Sequence, residues 1–250
     1  MSAPAPAWRS TLAQTGMELR LTARRTENVL VTIVLPVVVL LFFASTSIVP
    51  VTAGRPVDFL LPGVLALAVI STSLVNLGIA TAYERHYGVL KLLGGSPLPR
   101  AGLIAAKMLA VLVVEIVQFA LLFAVAVAVL GWQPTAGSST PLIVVGLLLG
   151  TLAFAGIGLA MAGSLRAEAT LAGANGLFLA LLLLGGIVVP LDQLPAALAA
   201  VARLLPASAL SGLLRIALGN SAGDLASPVL LLAVWAVGAS TVAARTFRWE

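Results

Sequence analysis

Residues able to do chemistry are few in this chain, and the densest group of them runs from Tyr83 to Arg100. The segment begins Tyr83-Glu84-Arg85-His86 and separates two long apolar stretches. The whole sequence is 60% hydrophobic and only 9% charged. A chain this apolar gains nothing in solubility from such a polar, basic segment. We therefore interpret Tyr83–Arg100 as a surface that contacts something outside the membrane.

The ionisable residues exclude several kinds of catalysis. A phosphate-binding P-loop requires a lysine followed by serine or threonine, but Lys91 precedes Leu92 and Lys107 precedes Met108. The sequence has no cysteine, which excludes disulfides, thiol catalysis and zinc–thiolate sites, and His86 is its single histidine. We therefore expect neither ATP hydrolysis by this chain nor a cofactor or metal ion bound to it.

Polar residues inside apolar segments are candidates for a transport pathway or a gate. Lys107, Glu115 and Gln118 share one sector of a helix, because offsets of eight and eleven residues return close to the same angle. Lys107 is expected to snorkel, whereas Glu115 lies about 10 Å deeper and must face protein or a wet cavity. Glu115 either lines a pathway or fixes helix packing, and the sequence leaves both open. For Asn76 and Asn175, hydrogen bonding between helices is favoured over a pathway or gating role.

The elements that must position these residues are apolar segments long enough to cross a bilayer, which takes about 20 residues in a helix. A typical soluble domain has about 25% charged residues, far more than this chain. The apolar runs are continuous rather than alternating, which excludes an outer-membrane barrel. We predict an all-α membrane protein, one domain over residues 1–250, with about six transmembrane helices. The segments are Val29–Val49, Phe59–Ala80, Gly102–Gly131, Leu142–Gly163, Ala169–Val189 and Pro228–Ala244.

Basic residues are distributed unequally between the two ends of the predicted spans. Six spans place both termini on one side, and eleven of the 14 lysines and arginines lie there. By the positive-inside rule, that side is cytoplasmic. Arginines at the edges of spans fit anionic lipid headgroups rather than a nucleic acid. Arginine far outnumbers lysine, as in G+C-rich bacterial genomes, so we predict a multi-pass protein of a bacterial cytoplasmic membrane. The basic residues of the outer side are Arg55, Arg203 and Arg215.

Two segments are predicted to lie on the membrane rather than through it. Residues 1–28 carry an apolar stripe that predicts an interfacial amphipathic helix, with a frayed cytoplasmic tail as the alternative. Residues 190–220 contain two helical patterns of about 10 residues, each too short to span. They predict a re-entrant pair of short helices on the outer side, with an ordinary extracellular loop as the alternative. The N-terminal stripe is Trp8, Leu12, Leu19 and Ala23; those of the pair are Leu194, Leu198, Val201 and Leu205, then Leu210, Leu213, Leu214 and Ala217.

Two motifs resemble those of ABC-2 exporter permeases, the membrane subunits of type V ABC transporters. The first is similar to the family's loop between the second and third spans, and it consists of Tyr83-Glu84-Arg85, Gly88, Leu90-Lys91, Ser96-Pro97-Leu98 and Arg100. The second is similar to the family's paired short helices after the fifth span, and it consists of Pro190-Leu191, Leu194-Pro195, Leu204-Leu205-Pro206 and Leu213-Leu214-Arg215. The resemblance covers essentially the full length.

The resemblance implies a function that composition alone does not. In this family the loop, here residues 81–101, holds a coupling helix that docks on a separate ATPase subunit, which would bind the ATP and Mg. Two permease subunits, either two copies or this chain with a sister, would line one pathway. Glu84 and Arg85 would make polar contacts or brace the loop against the N-terminal helix, and Gly88 would let the chain turn. The other coupling residues implied are Lys91, Ser96, Pro97 and Arg100, with Ser96-Pro97 ending one helix before the third span.

These observations predict the permease subunit of an ATP-driven exporter that moves a hydrophobic or amphiphilic molecule outward. One alternative is a membrane-embedded enzyme that acts on lipids through Glu115 or through Glu84 and His86. Another is a non-transporting assembly or sensor subunit. The sequence offers no catalytic cluster to favour the enzyme, and no residue identifies the cargo.

Overall fold

A computed structural model describes residues 6–24, 26–46, 55–95, 98–135, 137–221 and 223–246, with side chains throughout except at 7 and 26–31. These ranges form eleven α-helices, one π-helical segment and one 3₁₀ turn, and they contain no strand, which confirms the all-helical prediction. The α-helices are α1 (Ala7–Arg24), α2 (Thr26–Ser45), α3 (Pro56–Val69), α4 (Leu77–His86), α5 (Val89–Gly94), α6 (Arg100–Ala128), α7 (Thr140–Ser164), α8 (Ala167–Leu184), α9 (Ala196–Ala202), α10 (Pro206–Ala217) and α11 (Ala226–Thr246). The π segment is Ile70–Asn76, and the 3₁₀ turn is Leu191–Gln193.

Five helices in the described part of the chain are long and apolar enough to cross a membrane. They are the continuous helix Pro56–His86, which joins α3, the π segment and α4, and then α6, α7, α8 and α11. These five correspond to five of the six predicted spans, and the bent pair α9–α10 falls in the segment predicted to be re-entrant. The predicted first span, Val29–Val49, corresponds to α2, whose described apolar part is only Thr32–Ser45. Residues 47–49 of that prediction lie outside the described residues.

The helix Pro56–His86 forms the core of the bundle. Its apolar window is 83% buried, and α3 is apolar on all sides, as expected of a helix with no lipid-facing surface. Helices α2, α7, α8 and α10 pack around it. The π segment interrupts this helix at three consecutive hydroxyl residues, Ser71, Thr72 and Ser73. Single π turns inside α-helices frequently mark functional sites, and this one places hydroxyl groups in the middle of the bundle.

Glycines on α7 let this helix approach its neighbours closely. A Cβ on Gly156 would lie 2.7 Å from the backbone nitrogen of Ser240 in α11. A Cβ on Gly158 would lie 2.8 Å from the carbonyl oxygen of Leu74 in the π segment. No larger residue fits at these positions unless the backbone moves. The small residues of α7 therefore serve close helix packing.

Helix α1 lies along α6, with its polar side turned toward the protein. Thr15 is buried and Glu18 is half-buried, whereas Trp8 and Leu12 of the predicted apolar stripe are exposed. At about 100° per residue, the exposed Arg9, Arg20 and Arg24 lie on the far side of that stripe. This arrangement suits a helix at the membrane interface, which presents apolar residues to lipid and polar residues to the bundle.

The pair α9–α10 bends by 79° between its two helices. All four residues of the predicted apolar stripe on α10 are buried, and they include Leu210, which contacts the α7 glycines. The predicted stripe on α9 is different, because Leu198 and Val201 are exposed while the buried side consists of Ala199 and Ala202. Only the second helix of the pair therefore inserts its larger side chains into the bundle.

Candidate coupling site and polar core

A tight turn separates α4 from the short helix α5. Gly88 occupies this turn with φ of 73°, in the left-handed region that favours glycine. Helix α5 then runs for six residues and ends at Gly94. Ser96 and Pro97 of the predicted coupling residues lie outside the described part of the chain, while Arg100 begins α6. The turn therefore projects a separate, very short helix from the end of the core helix.

Helix α5 has one anchored side and one exposed side. Leu90 is buried against a small apolar cluster that includes Leu98 and Leu103. On the other side, 79% of Leu92 is exposed and Lys91 is exposed with it, and 71% of Tyr87 is exposed in the turn just before the helix. This segment thus presents apolar groups among polar ones, which is a composition typical of protein interfaces.

Arg85 fixes the base of this turn to the end of α7. Its Nη1 donates to the carbonyl oxygen of Gly163 at 2.6 Å, and its Nη2 donates to that of Leu165 at 2.6 Å. Carbonyls at the C-terminus of a helix lack intrahelical partners, and a guanidinium satisfies them well. Among the described residues, Arg85 therefore braces the turn against α7 and forms no ion pair with the N-terminal helix.

Glu84 reaches the N-terminal helix through Lys107. The Lys107 Nζ lies 2.6 Å from Glu84 Oε2 and 3.0 Å from Glu18 Oε1. Lys107 does not snorkel as predicted, since only 2% of its side chain is exposed. Two carboxylates from α1 and α4 hold the ammonium inside the protein, and Gln14 also donates to Glu18. This triad joins α1, α4 and α6 at one point directly before the turn.

Glu115 and Gln118 belong to a second polar cluster deeper in the bundle. Ser73 Oγ and Thr151 Oγ1 each donate to a different oxygen of Glu115 at 2.5 Å. Thr72 Oγ1 donates to Gln118 Oε1 at 2.9 Å, and Gln118 Nε2 donates to the carbonyl oxygen of Thr32 at 2.7 Å. Both side chains face protein, and the cluster ties α2, the π segment, α6 and α7 together.

Sequence reasoning missed Thr72, Ser73 and Thr151 as partners of this cluster. Isolated hydroxyl residues are common in transmembrane helices, where they usually bond to their own backbone, as Thr241 does to Val237. The run Ser71-Thr72-Ser73 in an apolar segment was the available signal. Its meaning depended on knowing that the π segment packs against α6 and α7.

Asn76 and Asn175 meet at a cavity of about 590 Å³ between α2, the π segment, α4 and α8. Asn175 donates to the Leu171 carbonyl of its own helix at 2.9 Å, so it makes no interhelical bond of the predicted kind with the described residues. Tyr83 and Tyr87 line the end of the cavity nearest the turn. None of the described side chains around the cavity is charged. Glu115 and Gln118 are not among them, so the four predicted pathway residues fall into two separate places.

The fold and these sites define a multi-pass helical membrane protein with a braced, protruding turn at one end. The family model described as ABC-2 type transporter matches residues 10–218, so the chain belongs to this family. The membrane domain of an ABC-2 type transporter is a transport component that is generally not itself catalytic, and membership implies association with an ABC ATPase. No curated protein matches the chain. The resemblance drawn from the two motifs is confirmed.

Proposed function

We propose that this chain is the permease subunit of an ATP-driven exporter that moves a hydrophobic or amphiphilic molecule out across the cytoplasmic membrane of a bacterium. A separate ABC ATPase binds ATP and Mg and docks on the segment 81–101. A second permease subunit, a copy or a sister chain, completes the transport pathway. The observation that carries this proposal is the combination of an exposed α5 surface with a rigidly held base.

The base of the turn suits the transmission of force. Glu84 is tied through Lys107 to α1 and α6, and Arg85 is tied to the end of α7. A displacement of α5 by a bound ATPase therefore reaches three helices through charged contacts of 2.6 to 3.0 Å. The Glu84 carboxylate is held by Lys107, and the His86 ring lies edge-on to Tyr83 and Tyr87.

The cavity at Asn76 and Asn175 supports an amphiphilic cargo. Its lining combines amide and hydroxyl groups with apolar side chains such as Val75, Ile79 and Phe178, and its described part carries no charge. A volume of about 590 Å³ lies within the usual range for small-molecule sites. Asn175 is exposed although it lines the cavity, which leaves room for a second permease subunit to close that side.

The distribution of charge supports an orientation with α5 and both termini in the cytoplasm. Arg20 and Arg24 of α1 lie on the same side of the bundle as α5, because Glu18 of the same helix meets Glu84 at Lys107. Arg55 and Arg215 lie at the opposite ends of the spans, where Arg55 bonds to the carbonyl of Gly131. The positive-inside rule then assigns α5 to the side where ATP is available.

Site-specific cross-linking tests the docking proposal, because the sequence has no cysteine and an introduced one is unique. Leu92→Cys places a thiol on the exposed side of α5, and Leu225→Cys places one at an exposed position before α11 on the other side. In the native host membrane, we expect Leu92→Cys to cross-link to a protein that has a P-loop and hydrolyses ATP. Cross-links only to other proteins, or equal cross-linking from Leu225→Cys, would overturn the proposal.

A further inference from the structure

An apolar crevice of about 350 Å³ lies under α1, and it shares only Thr32 and Asn76 with the lining of the cavity at Asn76 and Asn175. Helices α1, α2 and α6 and the end of the π segment enclose it. Its apolar walls are Leu19, Ala23, Ile33, Val113, Val114 and Val117. The proposed transport pathway and the polar clusters do not use these six residues.

The crevice opens toward the lipid-facing side of α6. Val113 and Val117 are 43% and 53% exposed, whereas Val114, the third lining residue of α6, is half-buried and lies on the more enclosed side of the crevice. An apolar groove that opens on a bilayer is filled by hydrocarbon more favourably than by water. The shape and position of the crevice therefore suit one acyl chain that enters from the surrounding leaflet.

Basic residues lie on α1 beside the crevice. Arg20 and Arg24 each follow a lining residue, Leu19 or Ala23, and occupy the neighbouring sector of the helix, about 100° away, where both are exposed. Neither forms an ion pair with any described residue, while the nearby carboxylate of Glu18 is already bound to Lys107. Two unpaired guanidinium groups beside an acyl-chain site complement a negatively charged phosphate headgroup.

We propose that this crevice binds one anionic phospholipid, with an acyl chain between α1 and α6 and the phosphate on Arg20 and Arg24. Assigning the lipid to the inner leaflet depends on the proposed orientation. The lipid site itself does not depend on that orientation. The bound lipid holds α1 against α6. Because Glu18 joins α1 to Lys107 and Glu84, occupation of the crevice also stabilises the base of the turn that precedes α5.

The test measures phospholipid binding to the purified full chain by native mass spectrometry, with phosphatidylglycerol and phosphatidylcholine of identical acyl chains. Wild-type protein should retain phosphatidylglycerol in preference to phosphatidylcholine. Val114→Trp fills the more enclosed side of the crevice and should abolish retention of both lipids. The double variant Arg20→Gln/Arg24→Gln should lose the preference, with about a fivefold loss of phosphatidylglycerol affinity for each arginine.

Matched variants separate this site from general contact with lipid. Ile116→Trp adds the same side chain to an exposed position at a similar depth on α6, outside the crevice, and should leave binding unchanged. Arg166→Gln/Arg245→Gln removes two exposed charges elsewhere and should also have no effect. If Val114→Trp does not fold, Ala23→Phe narrows the crevice from an exposed position on α1 and should reduce retention.

Undiminished phosphatidylglycerol binding in the crevice-filling variants would overturn the proposal, as would equal losses in the matched variants. Loss in the arginine variant alone would place the lipid on the surface of α1 and would also overturn it. The measurement needs no ATPase and no transport. Its failure would therefore leave the proposed permease function standing.

Discussion

Lys107 Nζ lies 2.6 Å from Glu84 Oε2, and this contact joins α6 to α4, the helix that ends at the turn before α5. A carboxylate of α1 completes the site at 3.0 Å. One buried ammonium therefore decides how three elements meet at the base of α5. Lys107 and Glu84 are only 2% and 11% exposed, so their ion pair lies inside the protein and not on its surface.

Lys107→Met should destabilise the protein strongly. The substitution keeps the size of the side chain but leaves the carboxylates of Glu18 and Glu84, which are only 13% and 11% exposed, without their counter-charge. Breaking a buried ion pair in this way costs about 3 kcal/mol. Denaturant unfolding in mixed micelles measures the change, and Lys91→Met at an exposed position should change stability by less than about 0.5 kcal/mol. Equal stabilities of the two variants would show that the triad does not hold the base of the turn.

Arg85→Lys should weaken the link between the turn and α7. Lysine keeps the charge but cannot donate in the forked geometry that reaches both Gly163 and Leu165. We expect a loss of about 1.5 to 3 kcal/mol in the free energy of unfolding, as for one charge-assisted hydrogen bond. Arg166→Lys is the matched control at an exposed position nearby, and its stability should equal that of the wild type. If both variants keep wild-type stability, Arg85 is not a brace.

Glu115→Leu separates the two roles that the sequence leaves open. If the carboxylate fixes packing, Ser73 and Thr151 lose their acceptor, and stability falls by about 1 kcal/mol, given about 0.6 kcal/mol for an interhelical hydrogen bond in a membrane. Adding Thr151→Val should then cause little further loss, because the hydrogen bonds share one acceptor. Thr241→Val, at a hydroxyl bonded only within its own helix, is the control. Unchanged stability with lost transport would instead assign Glu115 to the pathway.

Gly156→Leu should disrupt the packing of α7 on α11. The new Cβ would lie 2.7 Å from the backbone of Ser240, so one helix must move. Overpacking of this kind typically costs about 1 to 3 kcal/mol. Gly176→Leu on α8 is the matched control, because no atom lies within 4 Å of its Cβ position. Thermal unfolding in detergent distinguishes the two variants. If Gly156→Leu were as stable as Gly176→Leu, the packing of α7 on α11 described above would be contradicted.

Much of the architecture follows from the sequence for a simple physical reason. A bilayer requires continuous apolar helices, so the lengths of the runs fix the spans, and the charge bias predicts their orientation. The apolar stripe predicted on α10 was correct, because its leucines pack against the glycines of α7. On α9 the buried side consists of alanines, and no pattern distinguished packing on protein from packing on lipid.

The sites were less predictable because their partners come from distant elements. The spacing of Lys107, Glu115 and Gln118 correctly placed them on one side of α6. It gave no sign that Lys107 would be buried, since Glu18 and Glu84 lie on two other helices. The cavity shared by Asn76 and Asn175 depends likewise on how α8 packs against the core helix, which sequence periodicity does not encode.

The central claim is that an ATPase docks on the exposed side of α5, and the affinity of the purified chain for that ATPase tests it most directly. Leu92→Asp replaces the most exposed apolar residue of α5 with a charge, without touching the buried anchor Leu90. We predict that affinity falls about tenfold or more, as for a residue at the centre of an interface, while folding is unchanged. Leu225→Asp on the opposite side should bind like the wild type. Wild-type affinity in Leu92→Asp would contradict the account.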